Sequence, residues 1–132
     1  MIGLDTNVLI RAFVVENGDQ TRSAREFIAR RCSAADPGHV NSIVLVEAIW
    51  VLGAFYGYSR SAIADAISRL LSTDDIVIEH RELVQKVLDD YASHSASFSD
   101  ALIGEINLAW GCEATGTFDR KAAKLDGFVL VK

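Results

Sequence analysis

The chain has 132 residues, half of them hydrophobic, with 13 basic and 18 acidic side chains and a formal net charge of −5. This length suffices for a single domain with its own core, and the hydrophobic content excludes a disordered chain. The acidic balance argues against binding nucleic acid through a general positive charge. No apolar run reaches about 18 residues, and no signal-peptide pattern is visible, so we expect one cytoplasmic domain over residues 1–132 with no membrane contact.

Apolar residues alternate between strand-like and helix-like spacing along the chain. Ser42 is the predicted N-cap of the most apolar helix, and Gly111 is a predicted C-cap. Trp50 and Trp110 lie in apolar helices, so we expect both in the core. The predicted strands are Met1–Asp5, His39–Ser42, Ile76–Glu79, Cys112–Phe118 and Phe128–Val131. The predicted helices are Thr6–Val14, Thr21–Ser33, Ile43–Phe55, Ser59–Leu71, Arg81–Ala92, Phe98–Trp110 and Arg120–Leu125.

Strands that alternate with helices predict an α/β fold with three layers, in which a central, mostly parallel sheet of about five strands is flanked by helices. Ligands of such sheets gather beyond the carboxyl ends of the strands. Cys32 and Cys112 are far apart in sequence and form no Cys-x-x-Cys motif. We therefore expect two free, buried thiols.

Four acidic residues stand in apolar surroundings. Asp5 ends the first strand, Glu47 is the only charge between Ile43 and Tyr56, Asp100 follows Phe98-Ser99, and Asp119 follows Thr117-Phe118. A carboxylate against an apolar surface loses hydration and must be paired, protonated or bound to a cation. Each of the four lies at a predicted strand end or near a helix start, so one shared site is expected.

Each acid also has a structural explanation. Asp5 and Asp119 fit helix N-caps, and Ser97 with Asp100 fits a capping box. Glu47 lies too far into its helix for capping, so a salt bridge to Arg11 is its best structural alternative. A shared metal site explains all four acids together.

Oxygen-only ligands favour Mg²⁺ or Mn²⁺ over zinc, which prefers His and Cys. Two carboxylates about 4 Å apart repel by about 4 kcal/mol at an effective dielectric constant near 20, so a cluster of four needs a cation or protons. Such an ion suits phosphodiester hydrolysis, because it activates water and shields the developing phosphate charge.

Four segments in this order resemble the motifs of the PIN-domain ribonucleases, and are most similar to VapC-type toxins of toxin–antitoxin pairs. They are Leu4–Ile10 (LDTNVLI), Val44–Leu52 (VLVEAIWVL), Phe98–Ile103 (FSDALI) and Thr117–Asp119 (TFD). The resemblance spans nearly the whole chain. It departs at Ser97, where some relatives carry a further acid, and at Gly116, where relatives are often β-branched.

The resemblance implies a PIN-like fold and endonucleolytic cleavage of RNA that depends on one or two Mg²⁺ or Mn²⁺ ions. Its metal ligands and catalytic acids match Asp5, Glu47, Asp100 and Asp119. The polar residues that orient those ligands match Thr6, Asn7 and Thr117. The resemblance also implies a homodimer, and inhibition by a cognate antitoxin whose C-terminal segment occupies the site.

Arg11, Arg120 and Lys121 are candidates for phosphate contacts because they lie close in sequence to these acids. A second hypothesis is a catalytically silent module whose acidic rim captures a basic partner segment. The two hypotheses differ in one observable property, because only the first requires RNA cleavage that stops when the metal is removed.

Overall fold

The computed structural model describes residues 1–14 and 18–132, which form two compact units. Unit 1 is Met1–Glu79 and unit 2 is His80–Lys132. The strands of unit 1 are β1 (Ile2–Gly3), β2 (Gly38–Val40) and β3 (Ile76–Ile78), and its helices are α1 (Thr6–Phe13), α2 (Asp19–Arg31), α3 (Ser42–Ala54) and α4 (Arg60–Leu71).

The three strands of unit 1 form a parallel sheet in the order β1-β2-β3. Two backbone hydrogen bonds extend the ladder past the carboxyl ends of the strands. The N–H of Leu4 donates to the carbonyl of His39, and the N–H of Glu79 donates to the carbonyl of Val40. The donor–acceptor distance is 2.9 Å in both hydrogen bonds. The chain segments that leave these three strands therefore start from one edge of the sheet.

Polar side chains at that edge cap the N-termini of the helices that follow the strands. Asp5 is the N-cap of α1, and Asn41 is the N-cap of α3, where its Oδ1 accepts a 2.9 Å hydrogen bond from the N–H of Val44. The prediction of Ser42 as the α3 cap is wrong by one residue. Ser42 is already helical, and its N–H donates to Oε1 of Glu79 over 3.1 Å. Two acceptors therefore satisfy backbone donors in the first turn of α3.

Unit 2 begins with α5 (Arg81–Asp90), which a 3₁₀ turn at Tyr91–Ser93 extends, followed by α6 (Phe98–Trp110). Gly111 ends α6 in the left-handed conformation at φ 107°, as its predicted role as a C-cap requires. Strands β4 (Thr115–Thr117) and β5 (Phe128–Leu130) then pair in parallel, and a 3₁₀ turn at Ala122–Lys124 lies between them.

The α/β fold class with parallel strands and flanking helices is confirmed, and five strands are present among the described residues. The structure differs from the expected single sheet, since the strands form one sheet of three and one of two. The strands are also shorter than predicted, because residues such as Asp5 and Asn41 cap the next helix instead of extending the strand. No helix among residues 1–14 and 18–132 is long and apolar enough to cross a membrane.

Three expectations of burial are wrong. Trp50 and Trp110 have relative exposures of 68% and 88%, so neither belongs to the core. Cys112 is exposed, whereas Cys32 is buried as expected, and both are free thiols. The largest fully buried side chains are instead Leu9, Val40 and Leu45 in unit 1, and Val84, Phe98 and Leu102 in unit 2.

Gly38 in β2 provides a test of packing in unit 1. A Cβ atom at this position would lie 2.9 Å from Sγ of Cys32 and 3.1 Å from Cδ1 of Leu4. We expect Gly38→Ala to lower the free energy of unfolding by about 1–3 kcal/mol, because the buried site is overpacked. Gly3→Ala is the matched control, since its Cβ meets nothing within 4 Å. Urea denaturation measures both variants, and an equal loss in the two would contradict the packing shown here.

The two thiols should react at different rates. Burial raises the pKa of the Cys32 thiol, and Asp75 and Asp36 raise it further. Because the thiolate is the reactive form, we expect Cys32 to react with an aromatic disulfide reagent only after denaturation, and Cys112 to react promptly. The measurement is the count of thiols released before and after adding denaturant. Cys112→Ser should leave no fast-reacting thiol, and a fast phase in that variant would refute the assignment.

Candidate functional site

Asp5 lies just past the carboxyl end of β1 and is exposed. Its Oδ1 accepts a 3.0 Å hydrogen bond from the N–H of Val8, so the expected capping role is real. No residue in the described part of the chain donates to the other carboxylate oxygen. Capping therefore orients the side chain and leaves one oxygen available to a ligand.

Glu47 lies in the second turn of α3, beyond the positions that a capping side chain reaches. It is exposed, and among the described residues no ion pair involves it. The structural alternative of a salt bridge to Arg11 is therefore not found. The neighbours of Glu47 on the exposed side of α3 are apolar, since Ile43 and Trp50 are 72% and 68% exposed. An unpaired carboxylate on an apolar helix face has no evident structural purpose, and this makes it the strongest candidate of the four.

Asp119 follows β4 in unit 2 and is exposed. Its Oδ1 accepts hydrogen bonds from the N–H groups of Lys121 and Ala122 over 2.7 and 3.1 Å. Its own N–H donates to Oγ1 of Thr117 over 3.0 Å. Thr117 thus holds the backbone of Asp119, while the carboxylate begins the 3₁₀ turn. The N-cap of this 3₁₀ turn is Lys121, so the prediction of Asp119 as the N-cap is wrong by two residues, although its carboxylate holds the chain that enters the turn.

Asp100 lies in the first turn of α6 and is half-buried, and its N–H donates to Oγ of Ser97 over 3.0 Å. The amide of Asn107 donates to Oγ1 of Thr115 over 2.9 Å, which fixes the end of α6 beside the start of β4.

The four acids are less buried than the sequence led us to expect. Three are exposed, and Asp100 is half-buried. Among residues 1–14 and 18–132, no three His, Cys, Asp or Glu side chains are grouped closely enough to hold a metal ion. Asp5 and Glu47 belong to unit 1, and Asp100 and Asp119 to unit 2. The shared metal site stays a prediction.

The remaining predicted residues lie beside these acids in sequence and structure. Thr6 and Asn7 occupy the first turn of α1, half-buried and exposed respectively. Arg11 lies in the last turn of α1 and is half-buried. Arg120 and Lys121 are exposed and follow Asp119 directly. The roles of these three basic residues in phosphate contacts stay predictions.

Each unit also contains a cleft that the sequence did not reveal. In unit 2 a cleft of about 430 Å³ lies between α5, α6 and β5, and its lining includes the ion pair of Lys86 with Glu105 at 3.0 Å. In unit 1 a cleft of about 420 Å³ lies between α1 and α2. The second cleft includes Asn7 and Arg11, so it adjoins predicted site residues. The residues that α2 contributes are spaced as one helix face, but nothing in that spacing distinguishes a cleft wall from an ordinary solvated face.

Comparison with known proteins identifies the family to which the chain belongs. The chain is similar to the solved structure of VapC20 from Mycobacterium tuberculosis, a toxin that cleaves the sarcin–ricin loop, with a TM-score of 0.47, 18% sequence identity and 93% of each chain covered. No curated protein matches the chain significantly in sequence. The family model of the PIN domain matches residues 2–128. The resemblance drawn from the four motifs is thereby confirmed at the level of the family, and the chain belongs to the PIN domain family.

Proposed function

We propose that this protein is an endoribonuclease dependent on Mg²⁺ or Mn²⁺, and that it is the toxin of a toxin–antitoxin pair. The observation that carries the proposal is Glu47, an exposed carboxylate on an apolar helix with neither an ion pair nor a capping role in the described structure. Membership of the PIN domain family supports it.

In this proposal Asp5, Glu47, Asp100 and Asp119 are the catalytic acids and metal ligands. We assign the acids of both units to one site because the order of their motifs along the chain is that of the family. Their donor set fits the ion, because carboxylate oxygens are the ligands that Mg²⁺ and Mn²⁺ prefer. When bound, one or two such ions activate water and offset the charge that develops on the phosphate.

The chain's own residues orient this set. The hydrogen bond from the N–H of Val8 sets the Asp5 carboxylate, and Thr117 holds the backbone of Asp119. Thr6 and Asn7 are proposed to orient the carboxylate of Asp5. Arg11, Arg120 and Lys121 are proposed to contact RNA phosphates; the latter two carry exposed positive charges directly after Asp119.

A homodimer is part of the proposal, and the exposed surface of α3 supports it. Ile43, Trp50 and Phe55 are 72%, 68% and 78% exposed, and they lie on or just beyond this one helix. Contiguous exposed apolar patches often mark surfaces that bind another protein. We place the dimer contact on the C-terminal half of α3, around Trp50 and Phe55, so that Glu47 lies at the border of the contact and not within it. A single domain over residues 1–132, a cytoplasmic location and a cognate antitoxin complete the proposal.

The catalytic role of Glu47 is tested by Glu47→Gln. We expect RNA cleavage in Mg²⁺ to fall about a hundredfold or more, which corresponds to about 3 kcal/mol of lost transition-state stabilisation. Without metal, the variant should be as stable as the wild type, since the side chain is exposed and unpaired. Adding Mg²⁺ should raise the melting temperature of the wild type more than that of the variant. The measurements are RNA end mapping and thermal unfolding.

Glu26→Gln is the matched control, because Glu26 is an exposed glutamate of α2 and should be dispensable. EDTA should stop cleavage by the wild type and by this control. If the wild type binds a basic peptide but cleaves no RNA with either metal, the silent binding module is correct and the nuclease proposal fails.

The dimer is tested by Trp50→Glu. A charge in the middle of the α3 apolar face should shift the protein from dimer to monomer, because the buried carboxylate would lack a partner. Light scattering coupled to size exclusion measures the mass. Trp110→Glu is the control, since Trp110 is 88% exposed at the end of α6 and outside the proposed face. A wild type that is monomeric at high concentration, or a Trp50→Glu dimer, would rule this face out.

A further inference from the structure

One face of the β4–β5 sheet in unit 2 is covered by α6. Side chains alternate between the two faces of a strand, so the register of the pair groups four half-buried side chains on this face. They are Thr115, Thr117, Phe128 and Leu130. The ring of Phe128 fills the space that a Cβ atom at Gly104 of α6 would need, and the amide of Asn107 donates to Oγ1 of Thr115.

The opposite face of this sheet is exposed, and we call it the β4–β5 outer face. Its residues are Gly116, Phe118, Val129 and Val131. The N–H of Val131 donates to the carbonyl of Thr117 over 2.8 Å, so the pairing continues and sets Phe118 beside Val131. Phe118 is 80% exposed, Val129 55% and Val131 43%. Among residues 1–14 and 18–132, no aromatic ring packs against Phe118.

Phe118 has open space next to it on the outer face. Residues two apart in a strand lie about 7 Å from each other on one face, and the residue at that distance is Gly116, which has no side chain. Within the described residues, a Cβ atom at Gly116 would approach Cγ2 of Val131 alone, at 3.4 Å. A flat ligand that stacks on the ring of Phe118 therefore has room above Gly116.

Positive charge lies directly beyond Phe118. Arg120 and Lys121 are exposed, and neither forms an ion pair with any part of the chain that the structure describes. Arg120 is two residues from Phe118, a span of at most about 7 Å. Its guanidinium can therefore reach the phosphate of a nucleotide whose base lies on the ring of Phe118.

The size and charge of the outer face favour an RNA base over a protein as its occupant. A stable protein interface buries about 800 Å² on each partner and involves about 20–30 residues a side. The outer face offers three large apolar side chains, and it borders on two cations. Stacking of one base requires one aromatic ring, and the adjoining phosphates require positive charge. This face meets the second set of requirements and not the first.

We propose that Phe118 is the stacking site for one unpaired base of a single-stranded RNA, and that this base adjoins the phosphate held at Asp119. The base lies on the ring of Phe118 and above Gly116, and Arg120 contacts the phosphate of the same nucleotide. This inference rests on the proposed ribonuclease function. It adds that the substrate is unpaired beside the cleavage position, because a base within a duplex cannot stack on this ring.

Phe118→Leu tests the stacking site, because it keeps an apolar side chain and removes the ring. Binding is measured by fluorescence anisotropy of a single-stranded RNA in EDTA, in which the proposed nuclease does not cut. We expect Phe118→Leu to weaken binding about tenfold, which equals about 1.4 kcal/mol, and Phe118→Trp to retain it. Trp110→Leu is the matched control and should bind normally, since Trp110 is 88% exposed at the end of α6 and lies outside the outer face.

A second measurement removes the base instead of the ring. In a series of RNAs with one abasic position each, we expect one position at which the wild type loses about tenfold in affinity. For Phe118→Leu the same abasic position should cause no further loss, because the ring that the base contacts is already absent. A merely structural effect of the substitution would leave the abasic penalty unchanged, and that result would overturn the stacking site.

The third measurement is kinetic and uses cleavable RNA with Mg²⁺. Phe118→Leu should raise KM and leave kcat within about twofold, because backbone groups hold the Asp119 carboxylate without help from Phe118. Gly116→Val should also raise KM, because its side chain fills the space beside the ring. Circular dichroism should show that this variant folds, since Gly116 has no positive φ and valine suits a strand.

The outcomes separate this inference from the proposed function. If the wild type cleaves RNA and no abasic position depends on Phe118, the stacking site is wrong and the nuclease stands. If the wild type cleaves nothing while one abasic position still depends on Phe118, the stacking site stands and the catalytic proposal is wrong. A wild type that does not bind the RNA, or a Phe118→Leu protein that binds it normally but has a lower mass by light scattering, would overturn the stacking site. In the last case the outer face would be a contact between copies of the chain.

Discussion

The parallel pairing of β1 with β2 is the interaction on which the site in unit 1 depends. Hydrogen bonds that continue to Leu4 hold the carboxyl ends of the two strands at one edge. Asp5 and Asn41 leave that edge and immediately cap α1 and α3. The helices that carry Arg11 and Glu47 therefore start from fixed points. A slip in the register of β1 against β2 would shift the two helix starts relative to one another, because each helix begins within three residues of its strand's end.

The caps also bear on what the acids can do. A carboxylate oxygen that accepts a hydrogen bond from a backbone N–H is held in one orientation by that bond. Asp5 and Asp119 are both arranged in this way. A structural role and a ligand role are thus compatible in one side chain, since a carboxylate has two oxygens. Glu47 has no such anchor, so its position depends on α3 alone.

Much of the fold was predictable because its signals are local. The bounds of α6 and its ending at Gly111 follow from helical spacing and a residue that tolerates positive φ. The α3 cap was missed by one residue, because Asn41 and Ser42 are both good caps and only the path of β2 decides between them. Trp50 and Trp110 were misplaced, since composition cannot show which face of an apolar helix has neighbours.

The sequence by itself determined which residue types recur in what order, and this was enough for the α/β class, the helices and the PIN domain family. Those properties depend on side-chain periodicity and on short motifs, and both can be identified in the amino-acid sequence alone. Only the tertiary structure decided the rest. It divided the strands between two sheets, left three of the acids exposed, and opened the cleft between α1 and α2. These outcomes depend on which surfaces meet across long separations in the chain, and no local pattern encodes that.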